Sequence, residues 1–178
     1  MIITIEVPGP PVSKNKGLRI DPRRLGMPMF RPQEATQWMI RIRHYAQGAA
    51  RAAGWPDPFD VAEAAISFRK FDCKHDSGAG NEYVFDALQV PRPRDMKIFG
   101  NSWGLYANDR DAWARESPPP VKDGQGRRCV FEIELLKIRE PKEAERLRQM
   151  WRDTVRRDHE KMIKKLQRNH GIITASTA

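Results

Sequence analysis

The sequence predicts an α+β fold, and three observations predict it. Strand patterns at 2–7, 62–69 and 128–138 alternate along the chain with helical patterns at 33–53, 82–88 and 141–170. Proline, glycine and arginine crowd the connections between them, as turn chemistry requires. The last helical stretch is long, amphipathic and basic. At 178 residues the chain suits one domain with a sizeable core plus an appendage, not two domains. The expected organisation is a body over 1–138, a basic helical extension over 139–170 and a disordered tail over 171–178.

Ile2 to Val7 are mostly β-branched and meet Pro8, Gly9, Pro10 and Pro11, so a strand should form and stop there. Val12 to Pro32 has no hydrophobic period and carries Lys14, Lys16, Arg19, Arg23, Arg24 and Arg31, which predicts a mobile basic loop. Trp38, Ile42, Tyr45, Ala46 and Ala49 then recur at steps of three and four, with Arg41, Arg43 and Gln47 expected off that face. This is the period of an amphipathic helix, which Gly54 and Pro56 end.

Ala62, Ala64, Ile66 and Phe68 alternate with Glu63, Ser67 and Arg69, as in a half-buried strand. Glu82 to Leu88, with Val84, Phe85 and Leu88 to one side, reads as a short helix, and Gln89 to Asn101 as a loop or insertion. Arg128 to Ile138 is the clearest late strand. Pro141 opens a helix in which Ala144, Leu147, Met150, Trp151, Val155, Met162, Ile163 and Leu166 keep helical spacing. Such a helix could be a coiled-coil arm, a DNA clamp or a helix packed across the body; packing is the default for so continuous an apolar face, which leaves its basic face as the candidate DNA surface.

Lys and Arg total 32 against 23 for Asp and Glu, a net charge of +9, so an acidic macromolecule is the expected partner and nucleic acid the leading one. No stretch approaches the roughly 18 apolar residues of a membrane span, and no secretory leader pattern opens the chain, so a cytoplasmic protein is expected. Cys73 and Cys129 lack metal-ligand spacing and read as small buried hydrophobes. A phosphate-binding glycine loop is absent, which argues against nucleotide-driven chemistry.

Against this basic background stand two acidic clusters, one containing Asp72, Asp76, Glu82 and Asp86, the other Asp109 and Asp111. Carboxylates would repel a polyanion unless they serve as hard oxygen ligands for a divalent cation such as Mg²⁺. Phosphodiester hydrolysis needs such ligands to converge from separate elements, leaving room for phosphate and water. Asp76 and Asp109 are the first choices, each at a strand end beside small or polar neighbours. Asp72, Asp86 and Asp111 are secondary, and Asp86, inside an apolar helical run, is expected to cap or brace. Taken singly, each reads as an ordinary turn residue, and it is the constellation that points to chemistry. His75 and Lys74 stand beside Asp76, where they suit contact with phosphate or simple solvation.

The order of these motifs resembles a family. It comprises a strand ending in Pro10, Pro11, Val12, Ser13, Lys14 and Asn15, a helix, a strand leading to Asp76, then Phe85, Asp86, Ala87 and Leu88, then Gly104 through Asp109, and a last strand. It is similar to the RusA-type endodeoxyribonucleases, Holliday junction resolvases common in bacteriophages, over roughly residues 2 to 137. Ten residues separate Asp76 from Asp86 as that family's pattern requires, and Asp109 takes the second position of its late Asp pair, with Asn108 in the first. The chain departs at Gly78, Ala79 and Glu82, where the family has Asp, Asn and Lys.

The resemblance implies a mixed sheet with packed helices, a homodimer, and a Mg²⁺-dependent endonuclease that cuts four-way or other branched DNA in recombination and repair, in a bacterial or phage-infected cell. Asp76 and Asp109 would be catalytic and bind metal, with Asp72 or Glu82 completing the ligand set and Asn81, Asp86 and Asn108 behind them. Lys14, Asn15, Lys16, Lys74, His75 and Arg110 would contact DNA. A weakened junction binder of the same fold is the alternative implied by the departures, and a basic adaptor for an acidic protein is a third. Trp38 and Trp151 lie on apolar helical faces and belong to a core or a dimer interface, while Trp103 and Trp113 flank the second acidic cluster, where they could touch distorted DNA.

Overall fold

The computed structural model describes residues 1–9, 11–12, 19–20, 29–30, 33–71, 81–93, 95–115 and 128–169, and the side chains of all of these except 19, 20, 29, 30, 71 and 169. It is α+β, with a four-stranded mixed sheet. The strands are β1 (Ile2–Pro8), β4 (Val61–Phe71), β5 (Ala112–Ala114) and β6 (Arg128–Ile138), lying side by side in the order β1, β6, β4, β5. β6 runs antiparallel to both of its neighbours, and β5 runs parallel to β4.

The alternation read in the sequence sets the register. In β1, Ile3, Ile5 and Val7 are buried while Ile2, Thr4 and Glu6 face out. Pairing then builds continuous apolar rows across three strands, Ile3 with Ile133 and Ile66, and Ile5 with Phe131 and Phe68. A slip by one residue would turn every one of these side chains to the other face. Each such buried side chain stabilises the fold by roughly 1.5–3 kcal/mol.

Over this inner face lies α1 (Gln33–Ala53), burying Ala35, Trp38, Met39, Ile42, Ala46 and Ala50. It stops at Gly54, whose φ of 67° suits only a residue without a Cβ clash. There the Gly54 amide donates to Arg51 at 3.3 Å and the Trp55 amide to Ala50 at 2.9 Å, the two bonds that satisfy the last carbonyls of a helix. Beside it, α2 (Asn81–Leu88) buries Tyr83, Val84, Ala87 and Leu88.

Three segments differ from the sequence expectation. The stretch read as a loop over 12–32 contains two short paired strands, β2 (Arg19–Ile20) and β3 (Met29–Phe30), and the insertion over 89–101 contains a single helical turn, α3 (Met96–Phe99). Both are too short to leave a periodic signal. The edge strand β5 is only three residues, supported by pairing with β4 and not by its own pattern.

The last helix, α4 (Pro141–Asn169), packs over only its first half. Ala144 is buried, Leu147, Trp151 and Val155 are half-buried, and the Trp151 ring sits 6.0 Å from that of Phe59. Arg148 ties the same stretch to Asp57 at 3.3 Å and to Asp60. Met150 is 55% exposed, and Met162, Ile163 and Leu166 are 38%, 40% and 49% exposed, so the expectation that the whole apolar stripe packs on the body fails at Met150 and everywhere beyond Val155. Periodicity reveals that a stripe exists, not how far the body extends beneath it. Among the described residues no helix is long and apolar enough to cross a membrane.

Candidate functional site

Glu82, Phe85 and Asp86 occupy positions i, i+3 and i+4 of α2, so they share one face. The opposite face, with Tyr83, Val84, Ala87 and Leu88, is locked into the core. Amphipathicity alone therefore aims both carboxylates outward on the same side.

A second segment is brought alongside. The Leu105 amide donates to Leu88 at 2.7 Å and the Val90 amide to Tyr106 at 2.9 Å, a short parallel bridge that fastens 104–106 to the end of α2. Gly104 makes the approach possible, since a Cβ there would stand 2.5 Å from the backbone nitrogen of Val90. Immediately afterwards comes a 3-10 turn, Asp109–Asp111, capped reciprocally. Asn108 Oδ1 accepts from the Arg110 amide at 2.9 Å, and Asp111 Oδ2 accepts from the Asn108 amide at 3.2 Å.

The outcome is a cleft of about 350 Å³ lined by Glu82, Phe85, Asp86, Asp109 and Ala112. Tyr106 lies fully buried close by, its hydroxyl donating to the Phe85 carbonyl at 2.9 Å. Burial pushes the phenol well above its ordinary pKa, and the carboxylates of Asp86, Asp109 and Asp111 add to the shift. It is thus a neutral donor at physiological pH. That three carboxylates act on one hydroxyl is a second sign that the two acidic segments converge.

Of the residues singled out in sequence, Asp109 and Glu82 line this cleft. Asp86, expected to cap or brace, lines it as well, because its i+4 relation to Glu82 outweighs the apolar character of its neighbours. Asn108 is the cap of the Asp109 turn, and Arg110 is exposed on that turn. Asn81 opens α2, its Oδ1 buried and accepting no hydrogen bond from the described residues. Asp111 is removed from the candidate ligands, since it is 7% exposed and its Oδ1 stands 2.7 Å from Arg139. Asp72, Lys74, His75, Asp76, Lys14, Asn15 and Lys16 lie outside the described residues, as does Cys73. Cys129 is buried, and its thiol donates to the Gly9 carbonyl at 3.5 Å.

The tryptophans sort differently. Trp113 follows Ala112 in β5 and so points to the opposite sheet face, where its indole donates to Glu63 at 3.1 Å. Trp103, half-buried, lines a separate cleft of about 420 Å³ together with Arg51 and Trp55. Neither lines the acidic cleft.

Three contributors went unread in the sequence. Arg43, expected off the apolar face of α1, is 5% exposed and sits in the stripe formed by Met39, Ile42 and Ala46. Its spacing of four from Met39 was the available signal. Tyr106 carried only a place in an apolar run, and Arg139, just before α4, carried no signal.

Glu82, Asp86 and Asp109 offer only hard oxygen donors, a set that suits Mg²⁺, which is commonly held by one or two carboxylates with water and phosphate filling the rest of its shell. Among the described residues no group of three or more acidic, histidine or cysteine side chains is close enough to cage a metal unaided. Compared with known proteins, the chain matches no family model and no curated protein.

Proposed function

We propose that this protein is a Mg²⁺-dependent endonuclease for branched DNA, acting as a RusA-type resolvase does on a four-way junction, and working as a homodimer. The observation that carries the reading is the meeting of Asp86 and Asp109, from segments more than twenty residues apart, at one cleft in a chain of net charge +9. Such a gathering of like charge costs free energy unless a cation offsets it.

In this reading Asp86 and Asp109 hold the metal, with Glu82 at the rim and Asp76 or Asp72 completing the ligand set. A bound divalent cation supplies charge neutralisation at the scissile phosphate and an acidified water. Asp86 and Asp109 fix where that phosphate can stand, and the neutral Tyr106 hydroxyl holds the carbonyl of Phe85, a residue of the cleft wall. Exposed cations on the distal turns of α4, among them Lys164, Lys165 and Arg168, grip backbone phosphates without reading bases. Two-fold symmetry in the protein matches that of the junction.

Gly78, Ala79 and Glu82 depart from the family pattern and favour a second reading, a junction binder with weakened chemistry. A synthetic four-way junction separates the two. With Mg²⁺ the wild type should nick it symmetrically, and Asp109→Asn should cut at least about 100-fold more slowly, the upper range for disturbing even an outer partner of a metal. Binding of the junction in chelator should persist in that variant. Tight binding with no nicking by the wild type favours the binder, and equal affinity for linear and branched DNA refutes both.

A further inference from the structure

We propose that Arg139 is a positioning residue for the acidic cleft, acting through Asp111 to set where the Asp109 carboxylate stands. This rests on the reading of the cleft as a metal site, and concerns what holds that site in shape.

Arg139 stands between β6 and α4 with its side chain 9% exposed. Each of its three side-chain nitrogens is engaged. Nε donates to the Phe59 carbonyl at 3.1 Å, Nη2 to the Val61 carbonyl at 2.8 Å and to Asp111 Oδ1 at 2.7 Å, and Nη1 to Glu143 at 3.2 Å. Its own amide donates to Asp60 at 2.7 Å. The guanidinium is therefore fixed at the entrance of β4, a central strand, by the carbonyls of Phe59, in the turn before it, and Val61, its first residue.

From that fixed point the geometry runs in one direction. Asp111 spends one oxygen on Arg139 and the other on the Asn108 amide at 3.2 Å, and its amide donates back to the Asn108 carbonyl at 3.0 Å. Asp109 lies between these two residues, in a turn of three residues leading into a strand of three. Segments this short have little cooperative stability of their own. What places Asp109 is thus the doubly used carboxylate of Asp111, and what places Asp111 is Arg139.

A purely structural reading would make Arg139 an anchor for the root of α4, equivalent to Arg148, which binds Asp57 and Asp60 from the same helix. The two roles predict different outcomes. Losing an anchor lowers stability wherever it occurs. A lost positioning residue alters ligand geometry, and disturbance of such outer partners commonly weakens metal affinity about 10-fold or more.

The test uses Mn²⁺ as the probe, with binding followed on the full chain from the spectroscopic signal of free Mn²⁺, and thermal unfolding measured alongside. Arg139→Gln keeps a donor but removes the charge, and Asp111→Asn keeps an acceptor on the Asp111 side. The Mn²⁺ dissociation constant should rise about tenfold in each, and the double variant should be no worse than either single one, as for two residues acting along one path. Arg148→Gln should lower the melting temperature with Mn²⁺ affinity unchanged.

Wild-type affinity in Arg139→Gln, or a loss no greater than in Arg148→Gln, overturns the proposal while leaving the metal reading intact. Should Arg139→Gln fail to fold, Asp111→Asn decides by the same criterion. If the wild type itself takes up no Mn²⁺, the metal reading falls and this role falls with it.

Discussion

Arg43 Nη1 donates to the Ala87 carbonyl oxygen at 2.7 Å, so a buried cation on α1 closes the C-terminal end of α2, the helix that carries Glu82 and Asp86. The same guanidinium reaches the Gln89 carbonyl at 3.1 Å, Asn101 Oδ1 at 3.2 Å and the Trp103 carbonyl, and lies 4.5 Å from the centre of the Phe99 ring. Carbonyls at a helix C-terminus carry the negative end of its dipole, so they can hold a cation without a carboxylate. Burial lowers the pKa of Arg43 to about 10, which still leaves it charged at neutral pH.

Replacing this side chain strands several carbonyls at once. Arg43→Met should lose about 3 kcal/mol of stability in urea unfolding, since each buried acceptor left without a donor costs roughly 1–3 kcal/mol. Arg43→Lys should recover only part of it, because an ammonium cannot span the same set of carbonyls. A loss below about 0.5 kcal/mol, the range of ordinary surface changes, would show that the clamp contributes little.

Gly104 is expected to be intolerant of any side chain. An alanine Cβ would meet Val90 N at 2.5 Å, Gln89 C at 2.7 Å and Val90 Cα at 2.9 Å, all backbone atoms that cannot swing aside. Gly104→Ala should destabilise by about 1–3 kcal/mol, as overpacking does, and should increase hydrogen exchange at the Leu105 and Val90 amides that join the two segments. A neutral substitution would mean that the segments can separate without consequence.

Tyr106 should give stability a distinct alkaline dependence. Its folded pKa lies well above 10.0, so above that pH the unfolded chain loses the proton while the folded one keeps it, and stability falls as pH rises. Below pH 10.0 this contribution is flat. Tyr106→Phe should be about 1 kcal/mol less stable than the wild type at neutral pH, for the lost hydrogen bond. Urea unfolding above pH 10 should show that gap narrowing, and a constant gap would contradict the assignment.

The distal turns of α4 supply a test by salt. Lys164, Lys165 and Arg168 are exposed, so converting all three to Gln should leave folding unchanged. If they hold phosphates, the dependence of log affinity for DNA on log salt should become shallower by about one for each phosphate no longer neutralised. An unchanged slope would remove α4 from the DNA surface.

Much of the architecture was legible before any coordinates. The alternation of Ile3, Ile5 and Val7, and the helical spacing of Trp38, Ile42 and Ala46, each mark their element because side-chain period is fixed by backbone geometry. Asp109 and Glu82 were legible as candidates because acidic residues are conspicuous in a basic chain. Asp86, a secondary candidate expected to cap or brace, lines the cleft through its i+4 relation to Glu82 and also accepts from Gln89 Nε2 at 3.3 Å. Asp111, two residues after Asp109, left the site because an unforeseen Arg139 claims it.

By itself the sequence determined the class of fold, the register-setting apolar rows, the basic character and the presence of two acidic segments. All of these follow from local periodicity and composition, which are properties of neighbouring residues. Only the tertiary structure decided that α2 and the Asp109 turn share a cleft, that Arg43 and Arg139 are buried, and that α4 outruns the body. Those facts depend on pairings between residues far apart in the chain, such as Arg43 with Ala87 or Arg139 with Asp111, and no local pattern encodes which distant partner will satisfy a buried charge.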